Sequence, residues 1–99
     1  RLQPSHMNSI VDIQLERVKK RAMEGPRLTL EVSNEAKDKL ATQGYDVRYG
    51  ARPLARTIQN HVLAPLSRKL LEGTVREGDV VHVMLGEDNN VIVQDNHVE

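Results

Sequence analysis

Apolar residues in the first quarter of the chain recur at three- and four-residue steps, the spacing of one face of an α-helix. They are Met7, Ile10, Val11, Leu15, Val18 and Ala22. Basic residues crowd the end of this segment, where cations favour a helix C-terminus. Gly25-Pro26 then stops the helix. The pattern predicts an amphipathic helix over residues 5–24.

A strand and a second helix follow. Apolar residues alternate with polar ones over residues 28–32, which is the period of a half-buried strand. Ser33 can cap the N-terminus of a helix that runs to about Gln43. Gly44 then suits the left-handed conformation that commonly ends a helix.

The longest helix is predicted over residues 51–72, with Pro53 in its first turn, where a missing N–H costs nothing. Pro65 lies in the interior and should kink this helix, leaving the carbonyl of His61 without its usual partner. Gly73 ends the helix. Its core-facing row is expected to be Leu54, Ile58, Val62, Leu66 and Leu70.

Two further strands are predicted over residues 80–85 and 91–94, with a turn-rich loop between them. The order is α-β-α-α-β-β, so the expected fold class is α+β, a three-helix bundle-like domain with a short β-sheet. We expect residues 1–99 to form one domain. The two terminal strands could offer an exposed edge to a neighbouring subunit, or be covered within the domain.

Composition narrows the class of protein. The 99 residues carry 14 Lys+Arg and 14 Asp+Glu, for a formal net charge of zero. A neutral chain argues against a general nucleic-acid or membrane-surface binder, which gains affinity from excess positive charge. No Cys is present, so a reducing compartment is permitted. The first residue is Arg1 rather than Met, which fits a piece of a longer polypeptide.

The segment with the strongest chemical signal is Gly44-Tyr45-Asp46-Val47-Arg48-Tyr49-Gly50-Ala51-Arg52-Pro53. Gly50-Ala51 would allow another backbone or a flat ligand to approach closely. Arg52 at the start of a helix offers a planar fork of donors that matches phosphate oxygens, and the helix end adds partial positive charge. From spacing alone, a solvated arginine or a carboxylate partner is the more common explanation.

This segment resembles the sensor-2 motif of the Clp/heat-shock family of AAA+ ATPases. The resemblance is greatest to the C-terminal small domain of the second ATPase module in ClpB-type protein disaggregases, and it covers nearly the whole chain. Residues 10–15 resemble the first helix of that domain, most of all in eukaryotic, fungal members, and residues 58–66 resemble its long helix. One departure is Val47, where the family often has Pro, which should loosen the turn somewhat.

The resemblance implies roles for individual residues. Arg52 matches the sensor-2 arginine, which reaches the γ-phosphate of ATP, and Ala51 matches a residue beside the base and sugar. Ile10 and Leu2 match residues that close over adenine, with core packing as the alternative, favoured for Leu2. Tyr45 and Tyr49 are interpreted as core and turn supports.

The resemblance also implies an activity for the parent protein. That protein would be a hexameric ATP hydrolase and stress-response chaperone, in which ATP, with magnesium held by the large domain, drives disaggregation of polypeptides. The partners would be its own large AAA+ domain and the neighbouring subunit of a homohexameric ring, in the cytoplasm, with the nucleus or the mitochondrial matrix as alternatives. This chain has no Gly-x-x-x-x-Gly-Lys-Ser/Thr loop, so we expect it to be inactive alone.

Two other functions stay open at this point. A pure oligomerisation module would use Arg52 in an intersubunit salt bridge, with nucleotide irrelevant. A related proteolytic unfoldase would carry the same small domain. We expect no metal site, because the spacing of the four histidines fits no compact ligand set. The basic residues near the end of the first helix are interpreted as a solvated helix end rather than a nucleic-acid contact.

Overall fold

A computed structural model of the chain describes residues 7–95. The helices are α1 (Met7–Glu24), α2 (Asn34–Gln43), α3 (Leu54–Ile58) and α4 (Ala64–Glu72), and a π-helical segment, Gln59–Leu63, joins α3 to α4. The strands are β1 (Thr29–Val32), β2 (Val80–Leu85) and β3 (Val91–Asp95). The α+β class and the predicted order of elements are confirmed. The predicted site residue Leu2 and the first two residues of the predicted first helix lie outside the described residues.

The three strands form one sheet in the order β1-β2-β3. β1 and β2 are parallel, with Leu30 opposite Val81, and β2 and β3 are antiparallel, with Val83 opposite Val93. The central position of β2 corrects one sequence-based expectation. Residues 80–85 offer no free edge, because the chain returns from the helices to place β2 between the other two strands. The edges of the described sheet are β1 and β3.

The core lies between the helices and one face of the sheet. Helix α1 buries the predicted stripe, with Val11 and Leu15 almost fully inaccessible to solvent, whereas Ile10 is only half-buried at its margin. Each strand alternates buried and more exposed residues, as the period of two requires. Ser33 caps α2 as predicted, accepting a hydrogen bond of 3.1 Å from the Ala36 N–H.

The π-helical segment explains how the long helical stretch keeps one row of residues in the core. Leu54, Ile58, Val62 and Leu66 are all buried, at a spacing of four residues. In a regular α-helix of about 3.6 residues per turn, such a row drifts by roughly 40° per step and leaves the core after several steps. A π turn holds more residues, so it returns the row towards the core.

Pro65 explains where the π turn occurs. It has no N–H to donate to the carbonyl of His61, so the regular ladder of hydrogen bonds cannot continue there. The Ala64 N–H, immediately before it, donates to the carbonyl of Gln59, five residues back. Pro65 falls in the first turn of α4, where prolines are tolerated. The sequence predicted a disturbance, and the structure shows that it takes the form of a π turn.

Gly44 differs from the sequence-based prediction. Its backbone has φ −90° and ψ 2°, so it is not left-handed. Its lack of a side chain is needed instead for close packing. A Cβ built there would lie 2.6 Å from Leu54 Cδ1 and 2.9 Å from Leu54 Cα. Gly73, by contrast, ends α4 at φ 80°, in the left-handed region.

We predict that Gly44→Ala destabilises the 99-residue chain by roughly 1–3 kcal/mol, the usual cost of overpacking a core. The added methyl group would force the backbone of Leu54 away from α2, because the nearest atoms include a Cα. Gly25→Ala is the matched control, since a Cβ there meets only the Arg21 carbonyl oxygen, at an ordinary 3.4 Å. Urea unfolding of both variants tests this, and equal midpoints would contradict it.

Candidate functional site

The turn before α3 is closed by the carboxylate of Asp46. Its Oδ1 accepts hydrogen bonds from the N–H groups of Arg48, at 2.7 Å, and Tyr49, at 3.0 Å. The backbones of Asp46 and Gly50 also exchange two hydrogen bonds, of 2.8 and 2.7 Å. Gly50 has φ 63°, which favours glycine because it has no Cβ. These bonds define the conformation of the chain as it enters Ala51 and Arg52.

Val47, where the related family often has Pro, is 82% exposed at the tip of this turn. The hydrogen bonds that close the turn use the backbone of residues on either side of it. The hydrogen bonds that close the turn therefore form with a valine at this position.

The structure places Arg52 in the turn that precedes α3, with its side chain exposed. Its guanidinium carbon lies 5.2 Å from the centroid of the Tyr49 ring, within the range of a cation–π contact. Among residues 7–95, no carboxylate forms an ion pair with Arg52. Its fork of donors therefore faces solvent, with one flat side against an aromatic ring.

Tyr45 packs against the core, whereas Tyr49 lies in the turn, 54% exposed, with its ring beside Arg52. One sequence-based prediction for this segment needs correction, because the helix begins at Leu54 rather than Ala51. The N–H groups of Arg52 and Leu54 already donate to the carbonyls of Tyr49 and Ala51. The side chain of Arg52, and not a free helix end, is thus the donor available to a ligand.

Thr57 fixes the start of α3 against α2. Its hydroxyl donates to the carbonyl of Pro53 at 3.0 Å and approaches the carbonyl of Gln43 at 3.4 Å. Thr57 is the polar residue buried in the core of the described chain. Together with the close contact of Gly44 and Leu54, it holds the end of α2 and the start of α3 side by side.

The predicted adenine residue Ile10 lies at the same end of the domain as Arg52. Met7 and Asn8, at the start of α1, share a cavity of about 300 Å³ with Tyr45. Gly44, the residue before Tyr45, lies against Leu54 at the start of α3. Both α1 and α3 therefore begin next to the end of α2.

Ile10 and Ala51 are both half-buried at the margin of the core. This partial exposure leaves an apolar surface at each position that a flat ring could contact, while Arg52 offers charged donors nearby in the chain. Ile10 and Ala51 could each contact a flat ring, and Arg52 could donate to phosphate oxygens, so their role in nucleotide binding stays a prediction. Leu2, the fourth predicted site residue, lies outside the described residues.

Sequence reasoning did not single out Asp46 or Thr57 as determinants of this site. The available signal for the turn is an aspartate whose carboxylate can accept hydrogen bonds from the N–H groups two and three residues later, with Gly50 following them. Nothing in the sequence distinguishes Thr57, because its role depends on the carbonyl of Gln43, which lies in another helix.

The structure also bears on metals and membranes. Within residues 7–95, no group of three or more His, Asp or Glu side chains could hold a metal ion. His61 and His82 are half-buried, and His82 Nδ1 lies 4.0 Å from a carboxylate oxygen of Glu31. None of the described helices is both long and apolar enough to cross a bilayer.

Comparison with known proteins identifies the family. A family described as the C-terminal, D2-small domain of ClpB protein matches residues 2–83. Chaperone protein ClpB of Rhizobium meliloti is 48% identical over 88 residues, which cover 89% of this chain and 10% of that protein. Heat shock protein hsp98 of Neurospora crassa is 39% identical over 100 residues, which cover 100% of this chain and 11% of that protein.

Heat shock protein 104 of Schizosaccharomyces pombe is similarly 40% identical over 98% of this chain and 11% of its own length. The chain thus spans about a tenth of the length of these relatives. Bacterial and fungal proteins both match, so the assignment to fungal members stays a prediction. The chain belongs to the family of C-terminal D2-small domains of ClpB proteins.

Proposed function

We propose that this domain closes over the ATP of a larger AAA+ chaperone and that Arg52 senses its γ-phosphate. The observation that carries the proposal is the exposed guanidinium of Arg52, which has no ion pair within residues 7–95. An arginine that has no ion pair among the described residues, beside a turn closed by four hydrogen bonds, is available for a ligand outside the domain. An arginine that stabilised the domain through a salt bridge would have a carboxylate partner, and Arg52 has none among residues 7–95.

Four residues would contact the nucleotide. Arg52 would donate to phosphate oxygens, Ala51 would lie beside the base and sugar, and Ile10, with Leu2, would cover adenine. ATP supplies the phosphoryl group, and its magnesium would be held by the large domain of the parent. This chain lacks the phosphate-binding loop needed for hydrolysis. Its contribution is therefore to position and sense, through the fork of Arg52.

The same arginine could couple nucleotide state to movement. A charge-assisted contact to phosphate is worth roughly 1.5–3 kcal/mol. That energy is comparable to what shifts a two-state hinge from mostly open to mostly closed. Because Gly44, Thr57 and the π turn make the domain one packed unit, a pull on Arg52 would move the domain as a whole.

The parent would be an ATP hydrolase that works as a homohexamer in the cytoplasm, with the nucleus or the mitochondrial matrix as alternative compartments. Its small domain would contact its own large domain and the neighbouring subunit, and the ring would unfold and disaggregate polypeptides. The support is the family and the relatives named chaperone ClpB and heat shock protein 104.

We predict that Arg52→Ala in the parent lowers ATP affinity by roughly tenfold to a hundredfold, following from a loss of about 1.5–3 kcal/mol. ADP affinity should change much less, because ADP has no γ-phosphate. Arg52→Lys should restore only part of the ATP affinity, since an ammonium lacks the planar fork. Titration with both nucleotides measures the difference.

The melting temperature of the 99-residue chain is the control for this variant. It should change little, because Arg52 has no ion pair among the described residues. Equal losses of ATP and ADP affinity, or a lowered melting temperature with unchanged affinities, would refute the sensor role and favour a structural one.

A second prediction concerns Asp46, which positions the turn without contacting the nucleotide. Asp46→Ala removes the acceptor of two backbone hydrogen bonds and should cost the domain about 1 kcal/mol. In the parent it should reduce the preference for ATP over ADP, because the entry to Arg52 is no longer fixed. Asp46→Asn keeps an acceptor oxygen and should behave nearly as the unsubstituted protein. Asp38→Ala, at an exposed position of α2, is the matched control.

The isolated chain provides a third test. It should fold, with a circular dichroism spectrum dominated by helix, yet show no ATPase activity and no micromolar binding of ATP in calorimetry. The reason is that a single arginine and a few apolar residues cannot replace the missing phosphate-binding loop. Micromolar binding by the 99-residue chain alone would show that the phosphate site lies within it.

A further inference from the structure

A groove of about 200 Å³ runs between α1 and the helix formed by α3 and the π turn. We name it the arginine groove. Helix α1 contributes three long polar side chains to one wall, and the opposite wall combines one glutamine with smaller and apolar residues. Among the residues that line the groove are Gln14, Arg17, Arg21, Ala55, Ile58 and Gln59.

The arginine groove is positively charged. Arg17 and Arg21 are four residues apart, so they project from the same side of α1. Neither forms an ion pair with a residue that the structure describes. None of the carboxylates within residues 7–95 lines the groove. Two guanidinium groups therefore share one wall without a counter-charge from this part of the chain, although the formal net charge of the 99 residues is zero.

Two carboxylates of α1 lie away from the arginine groove. Asp12 and Glu16 line a polar depression on the side of α1 that faces α2. There Asp12 pairs with Lys37 at 3.1 Å, and Glu16 pairs with Lys19 at 3.6 Å. The third carboxylate of α1, Glu24, does not line the groove and forms no ion pair with a described residue. Arg17 and Arg21 are therefore left for a partner.

The shape and polarity of the groove indicate the kind of partner. A guanidinium fork matches a carboxylate with two parallel hydrogen bonds. Ile58 is buried beneath the groove and Leu63 is half-buried at its side, so the groove also offers apolar surface. A free anion would not use this surface. A protein segment that carries Asp or Glu beside aliphatic residues would pair with the arginines and also cover the apolar surface.

The position of the groove indicates where that segment comes from. Gln14 lies one helical turn after Ile10, and Ala55 lies one turn after Ala51. Because α1 and α3 begin at the same end of the domain, the groove continues directly from the residues assigned to the nucleotide. If the proposed function holds, the groove faces the ATP-binding module of the parent, because it lies next to the residues assigned to the nucleotide.

We propose that the arginine groove receives a carboxylate-bearing segment of the same polypeptide, contributed by its ATP-binding module, with Arg17 and Arg21 paired to Asp or Glu side chains. This inference rests on the proposed function for the identity of the segment. It assigns to the arginine pair a second contact between the domain and its parent, separate from the phosphate contact of Arg52.

Zero-length cross-linking of the full-length parent tests this proposal. A carbodiimide joins a carboxylate to a primary amine in direct contact and does not couple guanidinium groups. The variant Arg17→Lys/Arg21→Lys keeps both charges and supplies the amines. Peptide mass spectrometry should then find cross-links from positions 17 and 21 to Asp or Glu of the ATP-binding module. Mixing ¹⁵N-labelled and unlabelled parent separates links within one polypeptide from links between copies.

The matched control is Arg27→Lys/Arg76→Lys, which makes the same chemical change at two exposed arginines outside the groove. It should give several times fewer cross-links to the ATP-binding module. The proposal is overturned if positions 17 and 21 link no more often than these controls, if they link only within residues 1–99, or if they link only to another copy.

A second variant tests whether the arginines serve the fold instead. Arg17→Gln/Arg21→Gln should change the melting temperature of the 99-residue chain only slightly, because neither arginine pairs within the described chain and glutamine is a good helix former without a negative charge at the helix end. A marked fall would assign them an internal role and overturn the proposal. The Arg52→Ala titration is an independent test. If positions 17 and 21 cross-link to the ATP-binding module but Arg52→Ala lowers ATP and ADP affinity equally, only the sensor role is refuted. If Arg52→Ala lowers ATP affinity selectively but the expected cross-links are absent, only the groove proposal is refuted.

Discussion

The contact between Gly44 and Leu54 is the constraint on which the turn between α2 and α3, with Arg52 in it, depends. The two backbones come so close that a Cβ on Gly44 would lie 2.9 Å from Leu54 Cα. The start of α3 is therefore fixed against the end of α2, and Thr57 adds a hydroxyl contact with the carbonyl of Gln43. The residues between these points form a compact turn, which Asp46 closes.

This arrangement separates two tasks within one short segment. Buried residues on either side of the turn hold it in place, whereas the turn itself exposes polar and charged groups. Arg52 lies at the junction of these tasks, since its backbone is bonded to Tyr49 while its guanidinium is free of carboxylates in the described chain. A rigid support under an exposed charged group is what a sensing residue needs, because binding then costs little ordering of the protein.

The candidate site was only partly predictable from sequence. Resemblance to a known family singled out Arg52, Ala51 and Ile10, and the structure places the start of α1 and the turn before α3 next to the end of α2. The sequence did not reveal that the Tyr49 ring lies beside Arg52, or that Arg17 and Arg21 border a groove that none of the described carboxylates lines. These features depend on which residues of separate helices become neighbours, and local spacing contains no such information.

The sequence by itself determined the elements and their buried faces. The stripe of α1, the cap at Ser33, the alternation in the strands and the stop at Gly73 all follow from local periodicity and backbone preferences. Tertiary structure alone decided that β2 is central, that Gly44 is needed for space rather than for a left-handed turn, and that Pro65 produces a π turn. The physical reason is that the first two features depend on contacts with residues distant in the chain. The third depends on the need to keep a row of residues, spaced four apart, in one shared core.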